Sequence, residues 1–318
     1  MVRLGYTLSS EEHPPNDLVR YAVQAEEKGF DFAMISDHYH PWVDRQGHSP
    51  FVWSVIGGVA QATSRLELGT GVTCPIIRIH PAILAQAATT AEAMMPGRFR
   101  FGVGTGENLN EHVVAERWPS ADERLDMLEE AIEAIRQLWE GGMQSFHGTY
   151  FHIEDARIYT LPEQLPPILV AAKGKGALEL AGRLGDGLIG VTPDRDMLEE
   201  FERAGGHGKP RFGQIHVCWA ETDAEARRTA HAWWPNAAIE GELGVELPAP
   251  RHFEQAAAMV TEDDVAGRVV CGPDPERHLE EIRTFADAGY DHVYVHQIGP
   301  DQDAFFRFYE REVLPKLG

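Results

Sequence analysis

The chain has 318 residues, with 28 Lys and Arg set against 50 Asp and Glu, a formal charge of −22. Apolar residues make up 43%, enough for a sizeable core at this length. So acidic a chain is not expected to bind nucleic acid, an affinity that rests on Lys and Arg against phosphate, nor to dock on an anionic membrane.

Short apolar runs alternate with amphipathic stretches. Leu4-Gly5-Tyr6-Thr7 reads as a strand, followed by a helix over 16–29 whose stop is Gly29. Strand 32–35, helix 51–63, strand 66–70 and an Ala-rich helix over 81–95 follow. Strand 99–103 and a long helix over 121–139 close the first half. The second half repeats the pattern: strand 168–171, helix 177–184, strand 187–189, helix 196–204, strand 214–219 and helix 224–234. Helix 275–288, strand 292–296 and helix 302–314 complete it.

About eight strands separated by helices imply a parallel sheet, because parallel strands need crossover connections. Eight units in this length fit an α/β fold of the (β/α)8 TIM-barrel type, with a doubly wound open sheet as the rival. Residues 140–165 and 236–262 fit no unit and read as insertions in one domain spanning 1–318. No window of about 18 apolar residues suggests a membrane span. The N-terminal residues do not read as a signal peptide. Cys74, Cys218 and Cys271 match neither a disulfide framework nor a zinc ribbon, so the expectation is a cytoplasmic protein with reduced thiols.

In a parallel barrel, chemistry collects where strands end. The first strand runs into Ser9-Ser10-Glu11-Glu12, which is either a polar site or a solvated, helix-capping loop. The second runs into Ser36-Asp37-His38-Tyr39-His40-Pro41-Trp42, where histidines, an acid and an indole supply proton transfer and a flat apolar wall. His38 and His40 lie close, yet no matching acid–His pair recurs, so no metal is expected. The fourth strand runs into Gly102-Val103-Gly104-Thr105-Gly106-Glu107, followed by Asn110. Its glycines let a ligand approach the backbone, and Glu107 is a candidate acid, but it carries no dinucleotide fingerprint and no P-loop. The fifth strand runs into Lys173-Gly174-Lys175-Gly176 and a helix. A glycine-rich turn at a helix N-terminus, holding two of only five lysines, reads as an anion site for a phosphate or carboxylate.

Taken together, these strand ends resemble the coenzyme F420-dependent branch of the bacterial-luciferase-like flavin superfamily, most closely its F420-dependent glucose-6-phosphate dehydrogenase group. The likeness covers nearly the whole chain and is carried by Leu4-Gly5-Tyr6 with Glu11, Ser36-Asp37-His38 with Pro41-Trp42, and Leu68-Gly69-Thr70-Gly71-Val72. Gly102–Glu107 with Leu109-Asn110-Glu111, Ala181-Gly182-Arg183 with Gly185-Asp186-Gly187, and Pro273-Asp274-Pro275 complete it.

The resemblance implies a barrel with insertions, a homodimer, and coenzyme F420 bound at the strand C-termini, with FMN as the alternative cofactor. It implies a non-proline cis peptide at Gly71–Val72. Asp37, Cys74, Thr105, Gly106 and Asn110 match its cofactor contacts, and Lys173–Gly176 its phosphate loop. Its chemistry is hydride transfer between a carbinol carbon and C5 of the deazaflavin. His38 and Glu107 divide the roles of base and acid, Trp42 walls the site, and Glu11 positions the histidine or a substrate hydroxyl. Thr192, Arg195 and Arg268 stand where the family's substrate-phosphate residues would lie.

The second insertion lacks the family's lysine and carries, beside Asn236, the acids Glu240, Glu242 and Glu246, whose carboxylates would repel a phosphate. The expected substrate is therefore a small hydroxylated molecule: a sugar, a sugar phosphate held by arginines, or a secondary alcohol. Competing readings are an F420H2-dependent reductase of an unsaturated acceptor, an FMN-dependent monooxygenase, and a ligand-binding barrel without catalysis.

Overall fold

The computed structural model describes residues 2–239 and 241–317. Eight parallel strands form its centre: β1 (Arg3–Leu8), β2 (Phe32–Ile35), β3 (Glu67–Thr70), β4 (Phe99–Val103), β5 (Ile168–Ala171), β6 (Gly187–Gly190), β7 (Arg211–Cys218) and β8 (His292–Gln297). Each pairs with the next, β6 pairs with β7, and β8 returns to β1, so the sheet closes on itself. The barrel is the expected architecture. A two-residue strand, Val270–Cys271, continues the pairing along the end of β7.

Helices α1 (Pro15–Lys28), α2 (Val52–Ala62), α3 (Pro81–Met94), α4 (Ala121–Trp139), α5 (Lys175–Leu184), α6 (Arg195–Phe201), α7 (Asp223–Trp233), α8 (Pro275–Ala288) and α9 (Gln302–Phe308) surround it. Their boundaries follow local chemistry. Pro15 opens α1 at a position where its missing N–H costs nothing, and Gly29 ends it at φ 94°. The Ser120 hydroxyl caps α4 by accepting the Glu123 N–H.

Inside the ring, Phe32, Met34, Leu169, Ile189, Phe212 and Tyr294 pack against one another. Glycines on neighbouring strands make room for them. A Cβ on Gly5 would lie 2.4 Å from the Phe32 ring, and one on Gly69 would lie 2.6 Å from the Met34 sulfur. The plug closes the barrel from below and leaves the C-terminal mouth as the place for a ligand.

The two segments outside the alternation fold separately. Residues 140–165 contain an antiparallel hairpin, Gln144–His147 with His152–Ala156, between α4 and β5. Residues 236–262 contribute short helices at Leu243–Glu246 and Pro250–Ala257. The sequence places β7 three residues late: Phe212 and Gly213 lie outside the expected strand yet pair with both β6 and β8. No helix among the described residues is long and apolar enough to cross a membrane. Cys74, Cys218 and Cys271 are buried free thiols.

Candidate active site

Ser9-Ser10-Glu11-Glu12 leaves β1 and is fully buried, so it is no solvated loop. Glu11 Oε2 accepts the Ser36 hydroxyl at 2.5 Å and the Ser9 hydroxyl at 3.2 Å. Its Oε1 lies 3.3 Å from His38 Nε2. Burial alone would raise the Glu11 pKa; the His38 charge and the Ser36 hydrogen bond outweigh it and hold the carboxyl below its ordinary value.

His38 Nδ1 meets the His40 carbonyl at 3.1 Å. A carbonyl only accepts, so Nδ1 carries the proton and Nε2 is the nitrogen turned toward Glu11. The Trp42 ring centre stands 5.0 Å from that of His38 and 5.1 Å from that of Phe253 in the second insertion. His40 is a supporting residue: its own Nδ1 donates to the Leu109 carbonyl at 2.9 Å.

Glu107, at the end of the β4 loop, accepts the Asn110 amide at 3.3 Å. The same Asn110 accepts the backbone N–H groups of Tyr39 and His40, at 2.9 and 3.2 Å. One buried amide thereby ties the His38 loop to Glu107. His38, Trp42, Glu11 and Glu107 all line one cavity of about 420 Å³ at the barrel mouth, with the Gly71–Val72 peptide, which is cis, in its wall.

A second chamber of about 400 Å³ opens from the first. Both share Val72, Glu107, Lys173 and Ile189. Thr105, Gly106, Gly174, Lys175 and Gly176 line the far end. There α5 begins at Lys175 behind Gly174, with no side-chain cap. Its first-turn amides and the positive end of its dipole lie at this end of the chamber. Lys175 lies 3.7 Å from Glu179, one turn on, whereas Lys173 has no ion-pair partner among the described residues.

Several expected contacts are placed elsewhere. Asp37 is buried behind the wall: Oδ1 accepts Arg78 at 2.7 Å and Oδ2 accepts the Thr73 hydroxyl at 2.7 Å. It pins the β2 and β3 loops together. Arg78 also donates its backbone N–H to Glu111 at 2.7 Å. One cation between two carboxylates leaves one of them under-compensated, and burial, opposed by Arg78, raises Glu111 to about 7. Cys74 packs under Gly106, where a Cβ would lie 2.5 Å from its sulfur and φ is +73°. Gly104 is similarly filled, with a Cβ 2.8 Å from Val72 Cγ2. Both glycines also line the second chamber, so their backbone borders the cavity as well as packing inward.

Thr192, Arg195 and Arg268 are not brought to the mouth. The chain turns outward after Val191: the Thr192 carbonyl accepts the Tyr290 hydroxyl, and Arg195 donates to the Asp287 carbonyl at 2.7 Å. Arg268 is exposed in a depression with Arg277, Glu280 and Glu281. The insertion carboxylates do not face the cavity as expected either. Glu246 lies 3.4 Å from Arg124, Glu242 is exposed outside the lining, and Glu240 lies outside the described residues. Asn236 does line the mouth.

A buried chain of polar groups went unnoticed in the sequence. Glu12 Oε1 accepts the Gly299 N–H at 2.9 Å and Oε2 meets His296 Nε2 at 2.6 Å. His296 Nδ1 lies 2.9 Å from His216 Nδ1. Burial, with the His296 charge adding, pushes the His216 pKa down to about 3. The available signal was the period-2 pattern of β7, which turns Phe212, Gln214 and His216 the same way.

Comparison with known proteins gives a consistent picture. A family model for luciferase-like monooxygenase matches residues 1–292. The F420-dependent glucose-6-phosphate dehydrogenases of Microbacterium testaceum and Nakamurella multipartita are each 36% identical over 99% of this chain, and 97% and 96% of their own. An F420-dependent secondary alcohol dehydrogenase, solved with an F420–acetone adduct, superposes with a TM-score of 0.91 at 29% identity over 98% of each chain. The coenzyme F420 dependent tetrahydromethanopterin reductase of Methanopyrus kandleri shares the fold, with a TM-score of 0.81 at 22% identity over 100% of this chain and 99% of its own.

Proposed function

The chain belongs to the luciferase-like monooxygenase family, and we propose that within it the protein is a coenzyme F420-dependent oxidoreductase of small hydroxylated molecules. One observation carries the reading. A continuous two-chamber cleft has proton-handling side chains at its centre and an uncapped, lysine-flanked helix N-terminus at its far end. The residues fit a cofactor with a flat ring and an anionic tail. Gly71, Val72 and Thr105 would hold the ring side; Lys173, Gly174, Lys175 and Gly176 would hold the tail phosphate. Asp37, Cys74 and Asn110 act behind them by fixing the loops. Coenzyme F420, when bound, supplies a hydride acceptor at C5 of its deazaflavin.

The remaining chemistry belongs to the chain. His38 Nε2 is placed to take the hydroxyl proton of a carbinol in the cavity, and the Glu11 carboxylate stabilises the imidazolium that results. Glu107 holds or yields a proton at the junction of the chambers. Trp42 closes one wall against water. The same groups serve the reverse direction, reduction of an unsaturated acceptor.

An uncharged alcohol is favoured over a sugar phosphate, because Lys173 is the only lysine or arginine lining the central chamber among the described residues. A homodimer is the expected assembly. Its best-fitting face is the apolar groove between α2 and α3, where Phe51 and Ile83 are more than half exposed. Light scattering of Ile83→Glu tests it, with a monomer as the expected result.

Equilibrium dialysis against F420 and FMN tests the cofactor, and loss of F420 absorbance with a panel of alcohols, sugars and sugar phosphates tests the reaction. Selective F420 binding with turnover is expected, falling roughly 10²–10⁴-fold in His38→Ala. FMN binding in preference to F420, or bound F420 with no turnover on any compound, would overturn the proposal.

A further inference from the structure

On the opposite side of the central chamber from the phosphate-binding arm, four polar side chains stand with unspent hydrogen-bonding capacity. Thr7 is 5% exposed, and its Oγ1 has no partner. Asn236 Oδ1 is likewise buried and without a partner. Gln214 and His216 line the same wall. Partnerless buried polar atoms cost stability unless a ligand satisfies them.

The buried chain behind His216 decides which of its nitrogens is free. Glu12 already accepts the Gly299 N–H, and it takes the proton-bearing Nε2 of His296 at 2.6 Å. The other ring nitrogen of His296, Nδ1, lies 2.9 Å from His216 Nδ1, so that contact occupies one nitrogen of the His216 ring. Nε2 is left as the nitrogen of His216 that a ligand can engage. A hydroxyl satisfies that nitrogen whichever tautomer His216 holds, because it both donates and accepts. No lysine or arginine lines this part of the wall among the described residues, while the Glu12 carboxylate lies directly behind it. The wall is therefore neutral to slightly anionic in field.

We propose that His216, held by Glu12 and His296, is a specificity-determining contact that hydrogen-bonds a second hydroxyl of the substrate. The enzyme's substrates are then uncharged diols or polyols, unphosphorylated sugars included, oxidised at one carbinol and recognised at another. Thr7 and Asn236 are the neighbouring partners for further hydroxyls. The inference rests on the reading of the cleft as an F420-dependent alcohol site and deepens it.

The test uses the full chain loaded with F420. Four compounds are compared by kcat/KM: cyclohexanol, trans-1,2-cyclohexanediol, glucose and glucose 6-phosphate. The diol is expected to exceed cyclohexanol by about tenfold or more, and glucose to exceed its phosphate. His216→Phe is expected to lower the diol value at least about tenfold further than the cyclohexanol value, mainly through KM. His216→Gln, whose amide can both accept and donate, restores part of the preference. Equal wild-type values for diol and mono-alcohol, equal losses for both in His216→Phe, or preference for glucose 6-phosphate would each overturn the inference. If His216→Phe does not fold, Thr7→Val is measured in its place, with the same direction expected.

Bound F420 without turnover on any of the four marks failure of the functional reading instead. Calorimetry with myo-inositol on the F420-loaded protein then decides the contact. Binding weakened about tenfold or more by His216→Phe supports it; equal affinities or no binding overturn it.

Discussion

Replacing Glu11 by Gln isolates the charge beside His38 with little change of shape. The amide oxygen can take the place of Oε2 and keep the hydroxyls of Ser36 and Ser9, which lie at 2.5 and 3.2 Å. The amide NH2 then replaces Oε1, the atom 3.3 Å from His38 Nε2. One consequence follows for a step in which that nitrogen gains a proton: the imidazolium loses its counter-charge. A unit charge pair at this separation is worth about 5 kcal/mol at an effective dielectric of about 20. A polar amide retains part of that, so the loss is about 2–3 kcal/mol, the scale of one charge-assisted hydrogen bond. At 1.36 kcal/mol per decade, kcat is expected to fall roughly 30- to 150-fold. Stopped-flow loss of F420 absorbance at saturating alcohol measures it, with fluorescence titration of F420 as the control for an intact cleft. A kcat within about twofold of wild type, with F420 still bound, would refute Glu11 as the partner of His38.

Three further outcomes are expected. Glu111, at about 7, lies above the carboxyl reference of 4.5, so the folded state holds a proton that the unfolded chain has lost between those values. Stability contributed by this group is therefore lost as pH rises from about 4.5 to 7. Glu111→Gln does not titrate and should gain up to about 3 kcal/mol relative to wild type between pH 4.5 and 8; an equal difference in Tm at both pH values would count against it. Lys173→Ala should weaken F420 about tenfold at low salt, and less at high salt, in a fluorescence titration. Gly102→Ala would put a methyl 1.9 Å from the Thr70 carbonyl oxygen, forcing β3 and β4 apart, and should cost more than about 4 kcal/mol in denaturant unfolding.

The barrel was legible because its signal is local. Each strand and each helix announces its period within a dozen residues, and eight repeats leave few architectures. The candidate catalytic cluster was half legible for the same reason: Ser36 to Trp42 is one continuous segment, so His38 and Trp42 arrive together. What failed was register and direction. Arg195 sits on a mouth-side loop in sequence, yet its guanidinium reaches the Asp287 carbonyl on α8. Asp37 stands next to His38 but points the opposite way, to Arg78 and Thr73. The Glu12–His296–His216 chain joins residues from the segment after β1 and from β8 and β7, up to 284 positions apart, through a strand pairing that nothing local specifies.

The glycine-for-ring exchange inside the barrel has a consequence for how the sequence can drift. Gly5 exists because Phe32 occupies the space its Cβ would take, Gly69 because of Met34, and Gly187 because of Leu169, whose Cδ2 would lie 2.6 Å away. None of these positions can change alone, since a methyl added on one strand meets a filled neighbour on the next. They should vary as pairs across relatives, a small residue appearing at 32 wherever a larger one appears at 5. The double substitution Gly5→Ala with Phe32→Leu should accordingly be more stable than Gly5→Ala by itself, so that volume is inherited jointly by adjacent strands.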